Sequence, residues 1–405
     1  MGKLMNVPKL RFPEFSEEWK GNELIAIAKF SKGKGVSKSE IAEGGKTECI
    51  RYGELYTRYG EVIDEVFSKT NVSVKDLVIS EANDVIIPAS GETQIDIATA
   101  SCVIRSGIAL GGDLNIIKTG CNGVFLSYYL NNKKKNAIAN LAQGISVVHL
   151  YSSQLAQLEL NLPHFTEQTK IASFITVIAD KRTQLIKKKG LLEQYKEGLK
   201  QRIFSQELRF KDKEGNDFVD WEEVCIGDVF KLVIRPIRKP EGLYTALGIR
   251  SHFKGTFLKF ESDPTKIDMD TLYVVHENDL IVNITFAWEG AVAIASKSDN
   301  GCLVSHRFPT YENVEDKINI DFFRFVYPNK KFKSELELIS PGGAGRNRVL
   351  KKNEFLKIKI QIPSLPEQQK IASFLSALDD KIAQTSLQIE KIQLWKKGLL
   401  QQMFV

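Results

Sequence analysis

Two long stretches of this chain repeat an apolar residue every seven positions, and the segments before each carry short β-prone runs instead. The first stretch places Ile171, Ile178, Leu185, Leu192 and Leu199 on one phase, with Phe174, Ile175, Tyr195 and Ile203 beside them. The second places Ile371, Leu378, Ile392 and Leu399 on the same phase, with Thr385 as the one polar member, and Phe374, Leu375, Ile382, Ile389, Trp395 and Met403 alongside. A sustained seven-residue period is the mark of a helix committed to a helical partner. The spacing predicts a helix from Glu167 to Phe204, roughly 57 Å long at 1.5 Å per residue. Ser364-x-x-Glu367 with Pro366 reads as a capping box, and Thr166 as the cap of the first helix with Glu167 at its positive end. Lys187-Lys188-Lys189 interrupts the first seam.

The two stretches are copies. Glu167-Gln168-x-Lys170-Ile171-Ala172-Ser173-Phe174 returns 200 positions later as Glu367-Gln368-x-Lys370-Ile371-Ala372-Ser373-Phe374, and the register holds through Asp180-Lys181 and Gly198-Leu199 to Phe204. Leu10-Arg11-Phe12 with Trp19 answers Leu208-Arg209-Phe210 with Trp221. Asn83-Asp84-Val85-Ile86 answers Asn278-Asp279-Leu280-Ile281, and Cys102-Val103-Ile104 answers Cys302-Leu303-Val304. The chain is therefore one plan written twice, a variable globular unit followed by a helical tail. Each helix is the natural partner of the other in an antiparallel pair; two separate helices, each capping its own unit, are the alternative. Because the tails agree even outside the seam, Glu167, Gln168, Lys170 and Glu367, Gln368, Lys370 are expected to present one surface to one kind of partner.

Runs such as Asp84-Val85-Ile86-Ile87 and Leu272-Tyr273-Val274-Val275, separated by turns at Ser90-Gly91, Gly111-Gly112-Asp113 and Pro341-Gly342-Gly343, make each globular unit α+β. Basic, aromatic and amide residues gather between the runs. The first unit offers Arg51, Tyr52, Ser90, Gln94, Arg105, Gln143 and Ser146. The second offers Arg250, Thr285, Trp288, His306, Arg307, Arg346, Asn347 and Arg348. Arginine reads guanine edges, asparagine and glutamine read adenine, and hydroxyls and lysines suit phosphates. The clusters recur in both halves with different identities, as two readers of two different short sequences would require.

Composition narrows the classes. A net charge of +6 suits a polyanionic partner without demanding one. The five cysteines are scattered, which excludes a disulfide framework and a Cys-x-x-Cys metal site and points to reduced, mostly buried thiols. Gly44-Gly45-Lys46-Thr47 lacks the leading glycine of a phosphate-binding loop, because position 40 is Glu. The five histidines lack metal-ligand spacing, and no catalytic motif stands out. With no apolar stretch of membrane-spanning length and no signal segment, the expectation is a cytoplasmic protein.

The Leu10-to-Phe15 opening, the paired Pro-x-x-x-Glu-Gln-x-Lys-Ile-Ala segments and the paired Lys-x-Gly-Leu-x-Gln-x-x-Phe endings resemble the specificity subunit of type I restriction–modification systems, over essentially the whole chain. The resemblance implies target-recognition domains at 1–162 and 207–362, separated by spacer helices at 163–206 and 363–405 that pair as an antiparallel coiled coil. It implies that each domain reads half of a bipartite site in double-stranded DNA. It also implies docking of two methyltransferase subunits, with restriction and translocase subunits joining them. S-adenosylmethionine, ATP and Mg would sit on those partners and none on this chain, which would be no enzyme itself. A coiled-coil scaffold whose heads bind something other than DNA is the alternative, and a nuclease with scattered acidic ligands a remoter one.

Overall fold

The first and last strands of each head pair with each other. In the computed structural model, which describes residues 6–144, 146–342 and 348–405, Lys20–Glu23 runs antiparallel to Glu159–Leu162, and Glu222–Cys225 runs antiparallel to Lys359–Ile362. This closure brings each head's beginning to its end, where the long helix starts. The helices are Phe165–Phe204, of 40 residues, and Leu365–Met403, of 39.

The chain divides into two compact units, Met1–Gly190 with Gln384–Val405, and Leu191–Ala383. Each unit holds one head, part of the first long helix and part of the second. In the first unit the early part of one helix meets the late part of the other, with Phe174 edge-on to Trp395 at 6.1 Å between ring centres. In the second unit the late part meets the early part, with Lys196 Nζ 2.5 Å from Asp379 Oδ1. The pairing is antiparallel. Leu185 and Thr385 are both buried in the seam, whereas Lys187 and Lys188 of the basic run are exposed and Lys189 is half-buried. Tyr195 and Trp395, read from sequence as seam neighbours, are more than half exposed.

The two heads share one topology. A first sheet orders Ala28–Lys32, Leu114–Thr119, Asp84–Pro88 and Ser101–Val103, and its counterpart orders Phe230–Val233, Thr310–Asn313, Leu280–Val282 and Val292–Ile294. The first head adds Val62–Ile63 at one edge. A second sheet orders Ser68–Thr70, Thr47–Ile50, Ala109–Leu110 and Val78–Ile79. Its counterpart orders Thr256–Ser262, Tyr244–Ile249, Leu303–Val304 and Thr271–Val274, with Pro236–Arg238 added. Both second sheets contain one parallel pair, Ala109↔Cys49 and Ala246↔Leu303. This topology corrects one sequence echo. Cys102-Val103 lies in a first-sheet strand, but Leu303-Val304 answers Ala109–Leu110 in the second sheet, so the two cysteine segments are not equivalent.

The central strands are apolar on both faces because both faces are covered. Val85 and Ile87 join the core under the helices, while Ile86 joins the core between the sheets. Leu280, Val282 and Ile281 divide the same way. The helix-side core of the first unit includes Ile171, Ile175 and Ile178 from the first long helix and Leu399, Met403 and Phe404 from the second helix and its end. Each long helix therefore buries its stripe against a head as well as against its partner.

Candidate nucleic-acid interface

Glu167, Gln168, Glu367 and Gln368 are internal, which corrects the expectation that these four meet a partner, whereas Lys170 is exposed and Lys370 half-buried. Glu167 is 1% exposed and accepts two hydrogen bonds from Arg11. Glu367, fully buried, accepts two from Arg209, at 3.3 and 2.8 Å. Gln168 Oε1 accepts the backbone N–H of Asn122 at 3.0 Å while its amide donates to the Pro163 carbonyl. Gln368 does the same with Asn319, at 2.8 Å, and Pro363. Asn122 and Asn319 in turn cap the helices Gly123–Asn132 and Ile320–Val326. Lys170 pairs with Glu14 and lies over the Phe12 ring; Lys370 reaches the Lys211 carbonyl and lies over the Phe218 ring. The matched arms dock alike, with Phe12 edge-on to Phe174 and Phe210 edge-on to Phe374. One clamp, built twice, ties the opening arm, the long helix and the capped helix of each head. The expected capping box is absent as well. Glu367 is occupied by Arg209, and the Ser364 hydroxyl is buried without a hydrogen-bond partner among the described residues. Thr166 lies inside the first helix rather than at its cap.

Within each head some of the candidate residues come together and others do not. In the first, the loop after the central strand carries Gln94, exposed, whose amide donates to the Ala142 carbonyl at 3.4 Å. Gln143 bridges His149, which also pairs with Ser90, and Ser146 is exposed nearby in sequence. The helix Tyr52–Thr57 adjoins this loop. Burial raises the Tyr56 phenol first, and the charges of Tyr52, Glu92 and Asp96 raise it further. Arg51 Nε is buried without a partner among the described residues. Ser90 needs correction: it is 5% exposed inside a paired strand, so it packs the head and offers no surface to a duplex. Arg105 is exposed but stands apart, paired with Glu48 at 2.6 Å, an exposed ion pair of little net strength.

In the second head, Trp288 Nε1 donates to the Thr285 carbonyl at 3.2 Å and the Arg348 guanidinium lies 5.1 Å from the Trp288 ring centre. Arg307 and His306 are exposed, and the Arg307 carbonyl accepts the Ile284 N–H. Thr285, Trp288, Arg307 and Arg348 are thus drawn to one edge. Arg346 and Asn347 lie outside the described residues.

Of one further element the sequence reading singled out Arg250 alone. The hairpin Tyr244–Ile249 with Thr256–Ser262 carries Phe257, flanked by Arg250 at 5.1 Å and Lys259 at 5.5 Å. Phe260 and Lys259 are exposed on its edge strand. Its signal was the interleaving of basic and aromatic residues from Arg250 to Phe260.

Comparison with known proteins agrees with this architecture. The family described as type I restriction modification DNA specificity domain matches residues 16–194 and again 218–394. A chain of Methanocaldococcus jannaschii named as the specificity subunit of type I restriction enzyme MjaX is 24% identical, over 98% of this chain and 95% of its own. The MjaVIII specificity subunit of the same organism is 30% identical over 50% of this chain and 46% of its own. The crystal structure of the type I system S subunit from M. genitalium superposes with a TM-score of 0.62 at 15% identity, covering 98% of this chain and 99% of that one. At that identity the likeness is one of fold.

Proposed function

This chain belongs to the type I restriction modification DNA specificity family, and we propose that each head reads one half of a bipartite DNA target with the loops gathered at its edge. It is the DNA-recognition component of such a system and carries no catalytic centre of its own. The observation behind the two-reader proposal is the pairing of a shared strand order with different loop chemistry. The first head offers Tyr52, Gln94, Gln143 and Ser146, and the second offers Arg250, Trp288, Arg307 and Arg348, on equivalent frames. Arginine and amide side chains reach base edges, and exposed lysines such as Lys259 meet phosphates.

The partners proposed are two methyltransferase subunits, which would bring S-adenosylmethionine, with ATP-dependent restriction subunits joining them. Since the Glu-Gln segments are engaged internally, we assign methyltransferase docking to exposed apolar residues of the helices. Val177, 67% exposed, and Leu394, 62%, are foremost in the first unit. No helix among the described residues is long and apolar enough to cross a membrane; a cytoplasmic site of action, beside the DNA, fits this reading.

Co-expression with the cognate methyltransferase, followed by genome-wide mapping of methylated adenines, tests the proposal. A split motif with a fixed gap is the expected result. A continuous motif, or methylation without sequence preference, would refute two-headed reading.

A further inference from the structure

We propose that the second head holds a pocket for a single unpaired nucleobase bearing an amino group, adenine or cytosine. The inference rests on the DNA-reading role for the source of the base, though not for the chemistry of the pocket. A hollow of about 450 Å³ opens on one face of the five-stranded sheet, within the range of about 300–1,000 Å³ usual for small-ligand sites. Tyr244, Gly248 and Phe257 line its floor, and the turn from Asn283 to Gly290 brings Phe286 and Glu289 to its rim.

The floor is built around a missing side chain. A Cβ on Gly248 would lie 2.3 Å from Cζ of the Phe257 ring, so only glycine lets that ring rest against the strand. Arg250 and Lys259 flank the same ring. Their charges suit the phosphates on either side of a base.

Polarity in the hollow is unspent. Asn283 is only 8% exposed, and its Oδ1 accepts the Thr285 N–H at 3.1 Å. That bond orients the amide and leaves Nδ2, which keeps access to the hollow, without an acceptor among the described residues. On the same turn, Glu289 Oε2 accepts the Ser251 hydroxyl at 2.6 Å, and no described residue donates to Oε1. One free donor and one free carboxylate oxygen complement a ring nitrogen beside an exocyclic amine. Adenine and cytosine present that pair on their pairing edge. Because both groups sit in a hollow, a base must leave its stack to reach them.

Two measurements on the full chain, complexed with its methyltransferase partner, test this. In the first, 2-aminopurine is placed in turn at each position of the mapped target duplex. Fluorescence should rise at one position in the second head's half-site, apart from the methylated adenines. Asn283→Asp keeps the oxygen that Thr285 needs but turns the donor into an acceptor. It should remove that rise and weaken discrimination at that position at least about tenfold, with the other half-site unaffected. Glu289→Gln, which keeps an acceptor for Ser251, should act likewise. In the second measurement, dAMP, dCMP, dGMP and TMP are titrated into the complex. Binding of dAMP or dCMP that both variants abolish, without a fluorescence rise in the duplex, would make the occupant a free nucleotide and overturn the DNA source. No rise and no variant-sensitive binding would overturn the pocket itself, as would preference for dGMP or TMP. Failure of two-headed reading would already be visible in the methylation map of the unaltered protein.

Discussion

Arg11 and Glu167 stand 156 positions apart in the chain and meet in a two-pronged ion pair, Nε to Oε1 and Nη2 to Oε2, both at 2.7 Å. The hydrogen bonds to Glu167 hold the Arg11 guanidinium above its ordinary pKa, against the opposing effect of burial. The opening arm of the chain is thereby pinned to the start of the first long helix. Glu167→Gln removes the counter-charge from a partly buried guanidinium and should cost about 1.5–3 kcal/mol. Thermal unfolding measures this, and the paired change Arg11→Leu with Glu167→Leu should recover most of the loss. An unchanged midpoint in the single variant would show that the arm is held by other contacts.

Gln168 and Gln368 tie the long helices to the capped helices of the heads through one backbone N–H each. Replacing either with Leu should strand that donor at a cost of about 1–3 kcal/mol. Amide exchange should speed up in Gly123–Asn132 for the first variant and in Ile320–Val326 for the second. Equal acceleration in both helices from one substitution would contradict a local clamp.

Arg348 lies over Trp288 beside Thr285. Arg348→Ala should relax one half of the methylated motif, by about 1–3 kcal/mol if a base contact is lost, and leave the other half as strict as before. Loss of both halves together would count against the division between heads.

Seven residues added to each long helix, after Leu185 and after Thr385, preserve the seam phase and lengthen each helix by roughly 10 Å. The gap between half-sites should grow by about 3 base pairs at 3.4 Å each. Methylation mapping reads this directly, and an unaltered gap would remove helix length as its determinant.

Burial pushes the Cys49 thiol up to about 11 and the Cys102 thiol to about 12. The raised value favours the neutral thiol, so at pH 8 the reactive thiolate is scarce at both positions. Alkylation followed by mass mapping should label the half-buried Cys121 and Cys225 first. Cys49, Cys102 and Cys302 should react only on unfolding.

The duplication, the helices and most strands were legible because each leaves a local or periodic trace. The seven-residue stripe at Ile171 to Leu199 and the run Asp84 to Ile87 report their surroundings directly through their apolar spacing. Burial of charge leaves no such trace. Glu167 and Glu367 read as surface residues because an isolated carboxylate is costly to bury, and only the matched Arg11 and Arg209 change that balance. Ser90 misled in the opposite sense, as a polar residue in a turn-like dipeptide that a strand partner encloses. Asn283 and Glu289 drew no notice at all, since nothing in their spacing shows that Gly248 and Phe257 face them across a hollow.

By itself the sequence determined that this protein is one plan repeated, with two heptad helices and two α+β heads of differing surface, because periodicity and self-similarity are properties of the chain. Which polar residues are spent inside was decided by the tertiary structure alone. A carboxylate, an amide or a hydroxyl is defined by its partners, and here those partners arrive from more than a hundred residues away, as Arg11 does for Glu167 and Arg209 for Glu367.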